Sequence, residues 1–277
     1  MTLSERNTFF KVGIAFCAVC VAVMLTASFF IVPVYKTLDE NSRRPADFFQ
    51  FFVVNKILQP NYYAVHASLI LSVLFSLVGI ILIHFFFEQT SAPEIPFIAI
   101  FTISLSFEVF RLILPLRQIF DFPSFYLLTA SRVLLFARYF SIFSLFAASV
   151  CAAGLEVQKT RTIFIVVTIA ALIVTFGVPV DAQNWDTSLN MITGYTTTFR
   201  LIDGIAFLIT VISFFVAVNV RSSKEYSHIG VGIMLALIGR YFLLQADNWA
   251  GPIAGILFLS FGTGIVCSRL HKIHLWL

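Results

Sequence analysis

The sequence predicts an all-α, polytopic membrane helix bundle of about eight transmembrane helices, one anchor span followed by a seven-helix bundle. Three observations carry that expectation. Of 277 residues, 59% are hydrophobic and 12% charged, with a mean hydropathy of +0.95. An ordinary soluble domain has about 25% charged residues, so this chain has too few to cover a water-facing surface. The apolar residues fall in runs that match the about 20 residues a helix needs to cross the hydrocarbon core. Those runs fill the chain and leave no room for a separate soluble catalytic domain.

The first span covers Val12 to Val34. It exceeds the about 7 to 15 apolar residues of a cleavable signal core and lacks a clean small-x-small site, which predicts an uncleaved anchor. An external loop follows (36–62). Its segment Ala46 to Gln59 is rich in aromatics that favour the membrane interface, and reads as a short interfacial helix. The bundle, 63–270, contains spans two to eight: Tyr63 to Phe87, Ile95 to Ile119, Tyr126 to Gly154, Thr162 to Val178, Thr197 to Val220, His228 to Leu244 and Pro252 to Leu270. Pro-, Asp-, Asn- and Ser-bearing breaks separate them, among them SAPE, DFPS and VDAQNWD. Residues 271–277 form a short tail.

Lys and Arg in the loops predict the orientation. Arg6 and Lys11, Lys159 and Arg161, Arg221 and Lys224, and Arg269 and Lys272 all fall on one side. The loops Asp181 to Asn190 and Asp247 to Gly251 carry none. Both termini are therefore expected in the cytoplasm of a plasma or inner membrane, although Lys36, Arg43, Arg44 and Lys56 run against the rule.

Ionisable residues inside the spans carry the functional signal. Span three holds Glu108 and Arg111, span four Arg132 and Arg138, span six Arg200 and Asp203, and span seven Arg240. Each costs about 2.5 to 3.5 kcal/mol at mid-bilayer, so they are expected to cluster and compensate one another. Glu108 with Arg111 and Arg200 with Asp203 are i, i+3 pairs on shared helix faces. Five arginines against two carboxylates leave a surplus of +3, which calls for backbone carbonyls, water or an external anion. Arginine offers a planar, always charged fork suited to carboxylate or phosphate. Tyr139 and Tyr241 add hydroxyls beside two of the arginines, and Gln245 lies at the expected rim with Asp186 across from it.

The motifs of other chemistries are missing. There is no phosphate-cradling Gly-rich loop, no HExxH and no metal-ligand run. Cys17 and Cys20 lie inside an apolar span and read as buried small side chains, not as a redox or zinc pair. Gly239 and Gly262 to Gly264 read as sites of close helix packing. Neither a cofactor nor a metal is expected, and nucleic acid is excluded as a partner because no basic run tracks a phosphate backbone. Tetrapeptide echoes such as FRLI, at Phe110 and Phe199, are too short to establish a repeat.

The leading expectation is an outward-facing arginine-rich pocket that binds an anionic small molecule or lipid in a receptor- or sensor-like module. With no output domain after span eight, a separate signalling partner would read its state. A transporter or flippase of an anionic solute or lipid is the alternative. An intramembrane enzyme acting on a lipid-linked phosphate, with Glu108 or Asp203 as acid or base, is the third reading. The sequence leans against an enzyme without deciding the point.

Overall fold

The computed structural model describes residues 3–42, 59–88, 90, 92–154, 160–221 and 223–275. Among these, eight helices are long and apolar enough to cross a membrane. The chain is an all-α, multi-pass integral membrane protein. In order the elements are α1 (Leu3–Ser42), α2 (Tyr62–Phe87), α3 (Ile95–Ser104), a 3₁₀ segment (Leu105–Leu112), α4 (Ile113–Phe120), α5 (Ser124–Ala152) and α6 (Thr160–Gly177). A short antiparallel hairpin of β1 (Val180–Trp185) and β2 (Met191–Thr193) follows, then α7 (Thr196–Arg221), α8 (Glu225–Leu244) and α9 (Ala250–Leu275).

Two of these differ from the sequence expectation. Helix α1 runs on to Ser42, past Val34 and into the segment read as loop. The interfacial helix expected over Ala46 to Gln59 falls almost wholly outside the described residues. The stretch Asp181 to Asn190, read as an irregular loop, forms most of the β-hairpin and its turn.

The third span is not one uniform helix. It passes from α-helix into 3₁₀ geometry over eight residues before returning to α-helix. Pro115 has no N–H to donate to the carbonyl of Arg111, and its ring crowds that carbonyl. The turn before it tightens accordingly. Residues i and i+3 eclipse in a 3₁₀ helix, so Arg111 stacks directly on Glu108.

Two large apolar clusters hold the bundle, with a smaller one around Tyr139, Ala171 and Val178. One lies toward the chain termini and includes Phe10, Phe87, Phe101, Phe214 and Ile233. The other lies toward the hairpin and includes Met24, Leu69, Leu112, Leu127 and Met191. Lipid tails are as apolar as these side chains, so close packing replaces the hydrophobic effect as the cohesive force. The α8–α9 seam shows how: a Cβ on Gly239 would strike the backbone of Leu259 and Gly255, and one on Gly262 would strike Ala236 and Gly232. Gly264, expected to share this role, has open space around it instead.

Basic side chains close several helix ends, where the last carbonyls lack intrahelical partners. Arg6 donates from Nη2 to the carbonyls of Phe87 and Glu88 at 2.8 and 2.9 Å, capping α2. Arg221 donates from Nε to the Ala152 carbonyl at 3.1 Å, capping α5.

Candidate functional site

Glu108 is the centre of the intramembrane charges. It is 2% exposed, as is Arg111. Arg138 on α5 reaches it with a two-pronged contact, Nε to Oε1 at 2.9 Å and Nη2 to Oε2 at 2.8 Å. Arg111 adds Nη1 to Oε2 at 3.3 Å. Arg240 on α8 contributes its charge to Glu108 without touching it, and donates from Nη2 to the backbone carbonyl of Arg138 at 2.9 Å. Three helical segments thus converge on one carboxylate.

The hairpin turn closes this cluster from one end of the bundle. Asp186 accepts from the backbone N–H groups of Ser188 and Asn190 at 3.0 and 2.9 Å, and Leu189 takes a left-handed conformation, φ 57°. The turn therefore presents Ser188, Leu189 and Asn190 to the bundle, all three buried. Arg111 Nη2 donates to the Ser188 carbonyl. Arg138 Nη2 donates to Asn190 Oδ1 at 2.7 Å, and Asn190 Nδ2 donates in turn to the Leu244 carbonyl at 3.3 Å. The Ser188 hydroxyl donates to the Gln245 carbonyl at 3.4 Å. Ser188 and Asn190 escaped the sequence reading because neither is charged and both lie between spans. The Asx-type turn seeded by Asp186 was the available signal.

Not all the candidate residues join. Arg132 turns away and donates from Nη1 to the carbonyls of Thr175 and Val178, the latter at 2.5 Å, so it caps α6. Arg200 is exposed on α7, and so are Tyr241 and the side chain of Gln245. Tyr139 is 6% exposed, and the Arg138, Arg240 and Asp203 charges act on it. Of the five arginines, Arg111, Arg138 and Arg240 converge, and the charges of Glu108 and Asp203 act on members of this group. Arg132 draws its compensation from carbonyls and Arg200 lies outside the cluster. Asp186, at the hairpin, adds a further negative field on Arg111 and Arg138.

Asp203 defines the open side. It is electrostatically coupled to Arg240 and Arg138 but makes no direct ion pair among the described residues, and it is exposed. The half of α7 that carries it is mostly exposed, although Phe207 packs against the first apolar cluster. From Thr196 to Ile209 no described residue is buried, whereas Thr210, Val211, Phe214 and Ala217 are. Asp203 thus lies on an exposed half-helix within electrostatic reach of Arg138 and Arg240, while Tyr139 packs against Ala171 and Val178.

Donors remain on Arg138 and Arg240. A guanidinium has five N–H groups. Among the described residues, Arg240 has one hydrogen bond, from Nη2, and Arg138 Nη1 has none. Arg111 Nε, by contrast, is buried without a partner. A separate small hollow borders Arg111, Phe110, Ser131, Leu134 and Met191 behind the cluster. Among the described residues no group of three His, Cys, Asp or Glu is placed to hold a metal ion.

No known protein family, curated protein or solved structure matches the chain.

Proposed function

We propose that this membrane protein binds one anionic group, a carboxylate or a phosphate, against Arg138 and Arg240, and works as a receptor- or sensor-like module. The observation that carries this is the set of unbonded guanidinium N–H groups on Arg240 and Arg138 beside the exposed half of α7, which together would line a groove between α5, α7 and α8. A buried guanidinium gains most from charged acceptors in forked geometry. Glu108 is already occupied by two arginines and sealed by the hairpin, so it serves to position Arg138 instead of meeting a ligand. The Lys and Arg distribution of the loops supports an orientation with the hairpin end on the outer face of a plasma or inner membrane, from which the ligand would come. A groove that ends where Thr210, Val211 and Phe214 are buried favours binding over a continuous transport path. A separate signalling partner would then read the position of α7.

The test is thermal. A ligand that binds only the folded state stabilises it by RT ln(1 + [L]/Kd), about 2.7 kcal/mol at a hundredfold excess over Kd. Titration of purified wild-type protein with inorganic phosphate or acetate, at ionic strength held constant with chloride, is expected to raise the unfolding midpoint. Arg240→Gln should abolish the rise. An equal rise in both proteins would sink the reading. Uptake of labelled phosphate into proteoliposomes would speak for transport instead.

A further inference from the structure

We infer that the hairpin turn is a built-in stand-in for an anion. The Ser188 carbonyl holds half of the two-pronged edge of Arg111, and a carboxylate or phosphate arriving at that end of the bundle displaces it and lifts the turn. This site is separate from the one proposed on Arg138 and Arg240.

The two arginines bonded to Glu108 give an internal comparison. Nε and Nη2 form one edge of a guanidinium, an edge that grips a two-oxygen anion. Arg138 fills both prongs of that edge with one carboxylate, Nε to Oε1 at 2.9 Å and Nη2 to Oε2 at 2.8 Å. Arg111 turns Nη1 to Glu108 at 3.3 Å and leaves the corresponding edge half used. Its Nη2 donates to the Ser188 carbonyl, while Nε is buried with no hydrogen-bond partner among the described residues. One neutral oxygen therefore sits where two oxygens and a negative charge fit. A buried donor without an acceptor is costly, and hydrogen bonds to charged acceptors are about twice as strong as neutral ones. An anion on this edge relieves both defects.

The turn is placed to yield. It holds the bundle through neutral groups: the Ser188 carbonyl, the Ser188 hydroxyl on the Gln245 carbonyl at 3.4 Å, and the Asn190 amide between Arg138 Nη2 at 2.7 Å and the Leu244 carbonyl at 3.3 Å. Its charged residue, Asp186, is exposed and accepts from the turn's own N–H groups. Strand β2 has three residues, and its pairing with β1 is irregular between Val180 and Trp185. A two-stranded ribbon of this kind is marginally stable by itself. The outer side of the hairpin is uncovered, with Trp185, Thr187 and Ile192 exposed. On the inner side, the small hollow bordered by Arg111, Leu189 and Met191 leaves space beside the turn. Leu189 and Met191 pack in the second large apolar cluster, which makes the closed turn the resting state.

The experiment follows the turn with a thiol. Ser188 is 4% exposed, so modification of the Ser188→Cys variant by a membrane-impermeant maleimide reports how often the turn lifts. The full-length variant is assayed in lipid bilayer discs with sodium acetate against sodium chloride at equal ionic strength, and the adduct is counted on the peptide carrying position 188. Acetate should raise the labelling rate about fivefold, the factor for one hydrogen bond of ordinary net strength. In the same background, Arg111→Lys keeps the charge beside Glu108 but removes the fork, and should abolish the rise. Arg240→Gln should leave it intact. Asn190→Ala frees the turn from Arg138 and Leu244 and should lower the half-maximal acetate concentration about fivefold. Should Arg111→Lys fail to fold, the Asn190→Ala shift decides alone. A rate unchanged or slowed by acetate overturns the inference, and so does an unshifted half-point in Asn190→Ala. A rise kept in Arg111→Lys and lost in Arg240→Gln overturns the Arg111 assignment and leaves the Arg138–Arg240 site standing.

Discussion

Arg138 holds Glu108 by two near-parallel hydrogen bonds of 2.9 and 2.8 Å that join α5 to the 3₁₀ segment of the third span. The same guanidinium reaches Asn190 in the hairpin turn, and its backbone carbonyl accepts from Arg240. One residue thereby ties four parts of the chain together, and the proposed groove depends on it.

Glu108→Gln removes the charge that offsets Arg111 and Arg138. Breaking a buried pair by deleting one partner costs about 3 to 5 kcal/mol. A loss of that size in denaturant unfolding of the detergent-solubilised protein is expected. The double variant Glu108→Gln, Arg138→Gln should lose less than the sum of the singles, because the two residues share one interaction. Additive losses would contradict the pairing.

Arg132→Gln should act on stability alone. Its guanidinium satisfies the Thr175 and Val178 carbonyls at the end of α6, and hydrogen bonds from a charged donor are worth about 1.5 to 3 kcal/mol. Stability should fall by about that amount while the response to phosphate stays at the wild-type level. A lost phosphate response would place Arg132 in the groove.

The α8–α9 seam gives a steric prediction. Gly239→Leu drives a side chain into the Leu259 backbone and should cost about 1 to 3 kcal/mol or more. Gly264→Leu, with open space around it, should be near neutral by the same unfolding assay.

Glu94, just before α3, supplies a pH dependence. Burial holds its carboxyl above the ordinary value of 4.5, the nearby Arg221 opposing in part, and Oε2 has no hydrogen-bond partner among the described residues. Tyr226 and Cys151 share the same surroundings. A carboxyl raised in the folded state favours folding at pH below its unfolded value. That contribution is lost as pH rises through the folded value. Wild type should therefore lose stability relative to Glu94→Gln as pH climbs from about 4.5. Parallel midpoint-against-pH curves would refute this.

Hydropathy and punctuation made the eight spans legible, since run length against bilayer thickness admits few alternatives. The Glu108–Arg111 pair was legible too, because i, i+3 spacing brings side chains together in α and in 3₁₀ geometry alike. What sequence spacing does not encode is which side of its helix a lone arginine faces. Arg132 and Arg138 are six residues apart on one helix, about 600° of turn, so they face different neighbours, and one became a cap while the other met Glu108. The hairpin lay hidden because its strands are short and its contacts come from Asn190 and the Ser188 carbonyl, which hydropathy does not flag. The shift to 3₁₀ geometry was hinted at only by Pro115.

The most direct measurement is a cryo-EM map of the protein in a lipid bilayer disc, resolved at the proposed groove between α5, α7 and α8. A phosphate- or carboxylate-sized density within hydrogen-bond reach of Arg240 and Arg138, with the hairpin-end half of α7 still exposed, is the predicted result. A groove closed by α7, with Asp203 paired directly to Arg240 and no room between them, would contradict it.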